Sequence, residues 1–435
     1  MRGRGQAARA LVAVPVWIAT ALLSSALFAL AGVATLEWRL AREPLPLPWL
    51  AQWAEARVNQ GAGAATVRIG AASVRSAAWR EGPEAPLALT LADAAATEPG
   101  GRVILAATAA SSTVAMAPLL GGQIRPRTIE AEDIRVRLRR RADGGIGLDA
   151  VGLYTQAGGD TDYRQVLQAL AGSPSSGGGL ASLAGIERVA IHAVAVSVAD
   201  DVLGATWLVS SGMLGFSRQP GGGVDGAGDL AVALGGEAAQ LDLTAGVDPG
   251  AATTHARLRV HPVNPAVWGG NVPKLAALAM LNAPVSAEVS GEFGADLALR
   301  RVGGEATIAE GRTRINDADV AVLRGSLRAD GTPDHITLNQ AELVVRGQPE
   351  SAPSTLTLRG AVLKAAPGYV ASGGLDLDRV AFADLGRLWP KAAGTNARRW
   401  VTTNMTDGIA RDAHVDFTLT SPADFSDVQL TGAAG

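Results

Sequence analysis

From about Gly63 to the last residue, apolar side chains recur at every second position. Val67 and Ile69 alternate with Thr66 and Arg68, and Ile134, Val136 and Leu138 alternate with Arg135, Arg137 and Arg139. Leu241 and Leu243 alternate with Asp242 and Thr244, and Leu258 and Val260 with Arg257 and Arg259. Leu356 and Leu358 alternate with Thr357 and Arg359, and Phe417 and Leu419 with Asp416 and Thr418. A period of two gives each run one aliphatic and one polar face, the mark of a half-buried strand. Turn chemistry separates the runs at Asp143-Gly144-Gly145, Asp200-Asp201, Pro220 to Gly223, Asp248-Pro249-Gly250 and Asp330-Gly331. Residues 61–435 therefore read as one long antiparallel β body. About 25 strands in a single sheet would extend on the order of 100 Å, and a sheet of that size must twist and curl. Curling an amphipathic sheet makes either a closed barrel or an open trough with an apolar inside.

Helical spacing interrupts this pattern in few places. Asp162 to Ala171, Pro265 to Leu281, Phe382 to Trp389 and Asn396 to Asn404 are candidate helices. Before the β body, Arg42-Glu43-Pro44-Leu45-Pro46-Leu47-Pro48 reads as a stiff extended linker. Trp49 to Val58 then has helical spacing with Trp49 and Trp53 on one face. The helix either caps the start of the β body or, with Trp38, forms an aromatic collar at headgroup level.

At the N-terminus, Ala10 to Leu36 runs 27 residues without a charge. A bilayer core about 30 Å thick needs about 20 apolar residues, so this stretch can span as a helix. Arg2, Arg4 and Arg9 ahead of it favour a cytoplasmic tail over residues 1–9. A cleaved signal with Ala29-Leu30-Ala31 as its small-residue site is the alternative; either way the β body is exported. Residues 10–36 are thus an anchor in an inner membrane, and 37–60 join it to the exported body.

Composition narrows the chemistry. The net charge of −3 recruits no nucleic acid. Cysteine is absent, so no disulfide staples an exported body. Fifty-three glycines and only 4% aromatics suit thin, repetitive sheet rather than a thick core. The five histidines are scattered: His255 and His261 could share a strand face, but Pro262 interrupts. Asn316-Asp317-Ala318-Asp319 lacks the glycine and final glutamate of a calcium loop and reads as a β-turn. Gly221 to Gly226 matches a dinucleotide fingerprint by letter. It opens onto the strand Asp229 to Leu234 rather than a helix, and so reads as a hairpin loop. No catalytic residue, metal ligand or cofactor site emerges, and the chain does not read as an enzyme.

Four places resemble the AsmA-like superfamily of envelope proteins, in particular its YhdP branch. They are the anchor and Pro/Leu linker leading to the strand Val67 to Val74, and Leu119-Leu120-Gly121-Gly122-Gln123-Ile124-Arg125-Pro126 with the arginine-lined run to Asp143-Gly144. The third is Asp201-Val202-Leu203-Gly204-Ala205-Thr206-Trp207. The last is Leu388-Trp389-Pro390 with Ala397-Arg398-Arg399-Trp400-Val401, Asn404 and Gly408-Ile409. The resemblance implies one inner-membrane helix and a long β-groove through the periplasm that carries phospholipid acyl chains between the inner and outer membranes. It also implies that the chain is an N-terminal portion, because that branch is longer. On this reading Val67, Ile69, Ile134, Val136, Leu138, Leu241, Leu243, Leu258, Val260, Leu356, Leu358, Phe417 and Leu419 line the groove, and Trp38, Trp49 and Trp53 form a collar at its membrane mouth. A non-catalytic scaffold for outer-membrane assembly, working with other envelope proteins, is the alternative.

Overall fold

The computed structural model describes residues 31–59, 65–149 and 185–434, except 33, 83, 121–124, 143–145, 220–222, 235, 249–252, 295–297, 367, 390, 392–393 and 423–428. The Ala10–Leu36 stretch lies mostly outside these residues, as does the candidate helix Asp162 to Ala171. Among the described residues no helix is long and apolar enough to cross a membrane. Residues 34–42 are helical, so helix runs past Leu36 into the charged stretch, and the Arg42 guanidinium sits 3.9 Å over the Trp38 ring one turn back.

The chain beyond this helix is mainly β, and its strands join one sheet. The two-residue β1 (Leu45–Pro46) pairs with β2 (Thr66–Ser76), and α1 (Pro48–Asn59) lies between them in sequence. β3 (Leu87–Thr97) and β4 (Val103–Val114) follow by hairpins. β5 (Pro126–Glu132) and β6 (Arg135–Arg140) form one interrupted rung, as do β8 (Arg188–His192) and β9 (Ala195–Asp200). The short β7 (Ile146–Leu148) pairs with the end of β6. Next come β10 (Ala205–Arg218), β11 (Val224–Leu234), β12 (Glu237–Asp248) and β13 (Thr253–Val263), each antiparallel to the one before. β14 (Leu281–Asn282) with β15 (Val285–Phe293), and β16 (Leu299–Ile308) with β17 (Gly311–Ile315), make two more interrupted rungs. The meander closes with β18 (Ala318–Thr332), β19 (His335–Arg346), β20 (Ser354–Ala365), β21 (Gly368–Ala381), β22 (Ile409–Pro422) and β23 (Gln429–Ala434).

Three expectations need correction. The sheet is not wholly antiparallel: β5 pairs with β8 and β6 with β9 in parallel. A parallel pair needs a long connection, and residues 141–187 supply it. The Pro265 to Leu281 helix breaks in two, into α2 (Pro265–Asn271) and a 3₁₀ turn over Pro273–Met280. Pro273 cannot donate a backbone hydrogen bond to continue the α-helix. Asp330-Gly331 lies inside β18, and the turn comes one step later, before His335. The turn at Asn316-Asp317 is as expected, with both residues at positive φ (52° and 66°) between β17 and β18. Pro262 does not end its strand. It sits where the β13–β15 register shifts between Val260 and Val263.

The alternation itself switches phase along a crease. Asp93, Asp133 and Ala193 hold φ of 52°, 54° and 53°. Asp93 lies opposite Thr108, whose hydroxyl donates to Asp133 at 3.0 Å. Asp133 in turn donates its backbone N–H to His192, next to Ala193. On β2 the apolar face consequently passes from Val67 and Ile69 to Ala72 and Val74, and Ile69 and Ala72 pack in one cluster with Leu50 and Ala51 of α1.

Two short helices, α3 (Phe382–Leu388) and α4 (Thr395–Asn404), sit at the opposite part of the sheet. Leu388 packs on the fully buried Val320, Val322 and Val345.

Candidate functional site

Residues paired across a ladder project from the same face, so the registers trace what each face carries. One row starts at Ala72 on β2 and passes through Leu91, Ala110, Ala131, Ile191 and Leu214. It continues through Gly228, Leu243, Leu258, Val289, Gly304 and Ala329. It ends through Leu338, Gly360, Gly373, Phe417 and Ala433 on β23. No polar side chain occurs in it, and at about 4.8 Å per rung it is on the order of 75 Å long. A neighbouring row of the same face holds Leu230, Leu241, Val260, Ala287, Ala306, Leu327, Ala341, Leu358 and Leu375.

Of the proposed lining set, Val67, Ile69, Val136, Leu138, Leu241, Leu243, Leu258, Val260, Leu356, Leu358, Phe417 and Leu419 all fall on this face. Val136 pairs with Leu105 and Val196, Leu138 with Val198, Leu356 with Leu343, and Leu419 with Leu430. Ile134 does not belong to a ladder; it sits in the break between β5 and β6, where Asp133 turns the chain. The face is only partly covered. Most of its aliphatic side chains are half-buried, and Val289 and Leu327 are 43% and 42% exposed.

The opposite face is charged. Asp242, Arg259, Glu288, Glu305 and Arg328 are successive cross-strand partners. Arg259 reaches Glu288 at 2.9 Å, Arg257 reaches the same carboxylate at 3.0 Å, and Arg328 reaches Glu305 at 2.9 Å. The hydrogen bond to Glu288 raises the Arg259 pKa, keeping it charged. His255 and His261 are both exposed, and His261 bonds Asp242 at 2.7 Å. His414 sits between Asp376 (2.6 Å) and Asp416 (3.2 Å), and the bond to Asp376 leads in raising its pKa. These contacts account for the charges as a solvated ladder. Among the described residues, no group of acids and histidines is placed to hold a metal ion.

The motif residues do structural work. Asp200, the first residue of the expected Asp200-Asp201 turn and one residue ahead of the Asp201 to Trp207 motif, is the hub there. Its Oδ1 accepts from the backbone N–H of Val202 and Leu203, both at 3.0 Å. Its Oδ2 accepts from Trp207 Nε1 at 3.0 Å and Arg140 at 3.2 Å. Burial pushes this carboxylate up, but the bonds from Leu203, Trp207 and Arg140 outweigh it and leave the pKa below the ordinary value. The Trp207 ring meets Trp268 of α2 edge-on at 6.4 Å. In the later motif, Arg398 donates to the carbonyls of Trp389 (2.9 Å) and Gly386 (2.8 Å). Asn316 donates to Trp389 O and accepts from Lys391 N. These bonds fasten α3 and α4 to the β17–β18 turn. A sequence reader has no cue to Asn316 in this role, because its partners are 73 and 75 residues away.

At the N-terminal edge, Leu50 and Ala51 face the sheet while Trp38, Trp49 and Trp53 are exposed, Trp49 by 63%.

No family model, curated protein or solved structure matches this chain.

Proposed function

We propose that this protein is an inner-membrane-anchored periplasmic carrier of phospholipid acyl chains between the two membranes, and not an enzyme. The observation that carries the reading is the unbroken apolar row from Ala72 to Ala433, half-covered and backed by a charged face. A core needs its apolar face sealed; a conduit needs it reachable. An acyl chain laid on such a face leaves water with a gain of about 0.8 kcal/mol per CH₂. Neighbouring rows repeat the same chemistry, so movement along the face meets no deep well and no polar barrier. The twist and curl expected of so large a sheet would make the face the inside of an open groove, with headgroups at its wet margin.

Ala10 to Leu36 would anchor the body in this scheme. The exposed Trp38, Trp49 and Trp53 would sit at headgroup level, the preferred depth for tryptophan, and lead acyl chains onto the face beside α1, which itself covers Ile69 and Ala72. The AsmA-like motifs agree with this assignment. Lipid extraction of the purified full chain followed by mass spectrometry tests it. Phospholipid is expected in clear excess over that held by residues 1–42 alone in the same detergent; equal amounts would reject the proposal.

A further inference from the structure

The charged face of the sheet has an exception. Between β4, β6, β9 and β10 lies a cleft of about 440 Å³ lined by Val103, Ile104, Ala106, Ala195, Ser197 and Leu208, with Arg135 and Arg137 at its sides. The registers place it on the face opposite the apolar row. Ala106, Arg135 and Ala195 are successive cross-strand neighbours, and so are Arg137, Ser197 and Leu208. Val136, Val196 and Val209, which also border the cleft, alternate with these residues and so project from the other face.

Three features set this cleft apart. Its floor is apolar, and the row through Leu208 runs on through Ala233 and Ala238, whereas Asp242, Arg259, Glu288 and Arg328 lie in another row of the same face. Leu208 is 50% exposed, an apolar residue left in water on a polar face. Both charged lining residues are cations. Arg135 is shared with Asp133 at 3.2 Å, whereas Arg137 is exposed and has no side-chain partner among the described residues. Further along this face Arg259, Arg328 and Arg324 each meet a carboxylate. A guanidinium fork beside an apolar pocket, with no acid in the lining, is complementary to an anionic head on a short apolar body. The volume falls in the range of small-ligand sites.

We infer that this cleft is a second ligand site, distinct from the apolar face, that takes a small amphiphilic anion with its head on Arg137 and its tail against Ala106, Ala195 and Leu208. A carboxylate and a phosphate monoester share that chemistry. The inference does not depend on lipid transport by the other face.

Photolabelling of the full chain in lipid nanodiscs decides it. Three probes share one short tail with a terminal diazirine and differ in head: carboxylate, phosphate monoester or amine. Labelled positions are mapped by peptide mass spectrometry. Saturable labelling at or beside Leu208 by at least one anionic probe, little by the amine, and a fall of at least fivefold in Arg137→Glu is the expected result; the better anion identifies the head. Absence of labelling there, equal labelling by amine and anions, or no change in folded Arg137→Glu would overturn it. Leu208→Glu, with the arginines intact, should also lose the label; undiminished labelling would count against the assigned tail position.

Discussion

The side-chain amide of Asn59 acts as a strand residue beside Val67. Its Oδ1 accepts from Val67 N at 2.7 Å, and its Nδ2 donates to Val67 O at 2.9 Å. Glu55, one turn earlier, accepts from Ile69 N, and Leu47 N donates to Ala72 O. Between them α1 and its lead-in occupy the edge groups of β2 that would otherwise recruit another strand.

Asn59→Ala should expose that edge. Two backbone groups lose their partner, which costs about 1–2 kcal/mol, and the freed edge should promote association. Chemical unfolding should show a lower midpoint, and sedimentation should show concentration-dependent oligomers. An unchanged midpoint with no oligomers would mean that α1 guards nothing.

Asp200→Ala should be more damaging. It strands the indole N–H of Trp207 and the backbone N–H of Val202 and Leu203 in a nearly sealed site, at a cost of about 3 kcal/mol. The pH dependence has a definite sign. Because the folded pKa lies below the ordinary carboxylate value of about 3.9, the contribution of Asp200 is complete above that value and is lost as pH falls through the folded pKa. Acid unfolding of Asp200→Asn should therefore begin from a lower stability and be less steep over that window than in the parent chain. Superimposable acid-unfolding curves would contradict this.

Gly347→Ala tests the packing of α3. Asp384 is fully buried at the start of that helix, and a Cβ on Gly347 would lie 2.6 Å from its carboxyl carbon. Overpacking of this kind costs about 1–3 kcal/mol. The unfolding midpoint should fall, while Gly386→Ala, with open space at its Cβ, should leave it nearly unchanged.

Much of the sheet is legible from period two alone, because a strand with one apolar face announces itself residue by residue. The pairs Leu241/Leu243, Leu258/Val260 and Leu356/Leu358 read correctly for that reason. The crease is harder to see. Asp93 and Asp133 tolerate positive φ through their short polar side chains, but Ala193 offers no such signal, and it is the ladder that aligns the three. Ile134 illustrates the consequence: it continues the alternation of Val136 and Leu138 on paper but falls in the interruption. The parallel pairing of β5 with β8 is equally hidden, since nothing local in either strand marks its partner. The cleft beside Arg137 has no signature in the sequence, because Leu208 belongs to a run, Trp207-Leu208-Val209, with no alternation to mark its face.

The central claim is that the face carrying Leu258 and Leu358 is reached by lipid while its reverse is not. Photo-crosslinking amino acids placed singly at Leu258 and Leu358, and at Thr244 and Arg359 on the reverse, measure this directly in cells. Phospholipid adducts at the first two and none above background at the second two are the predicted result. Equal labelling at all four positions, or none at Leu258 and Leu358, would contradict it.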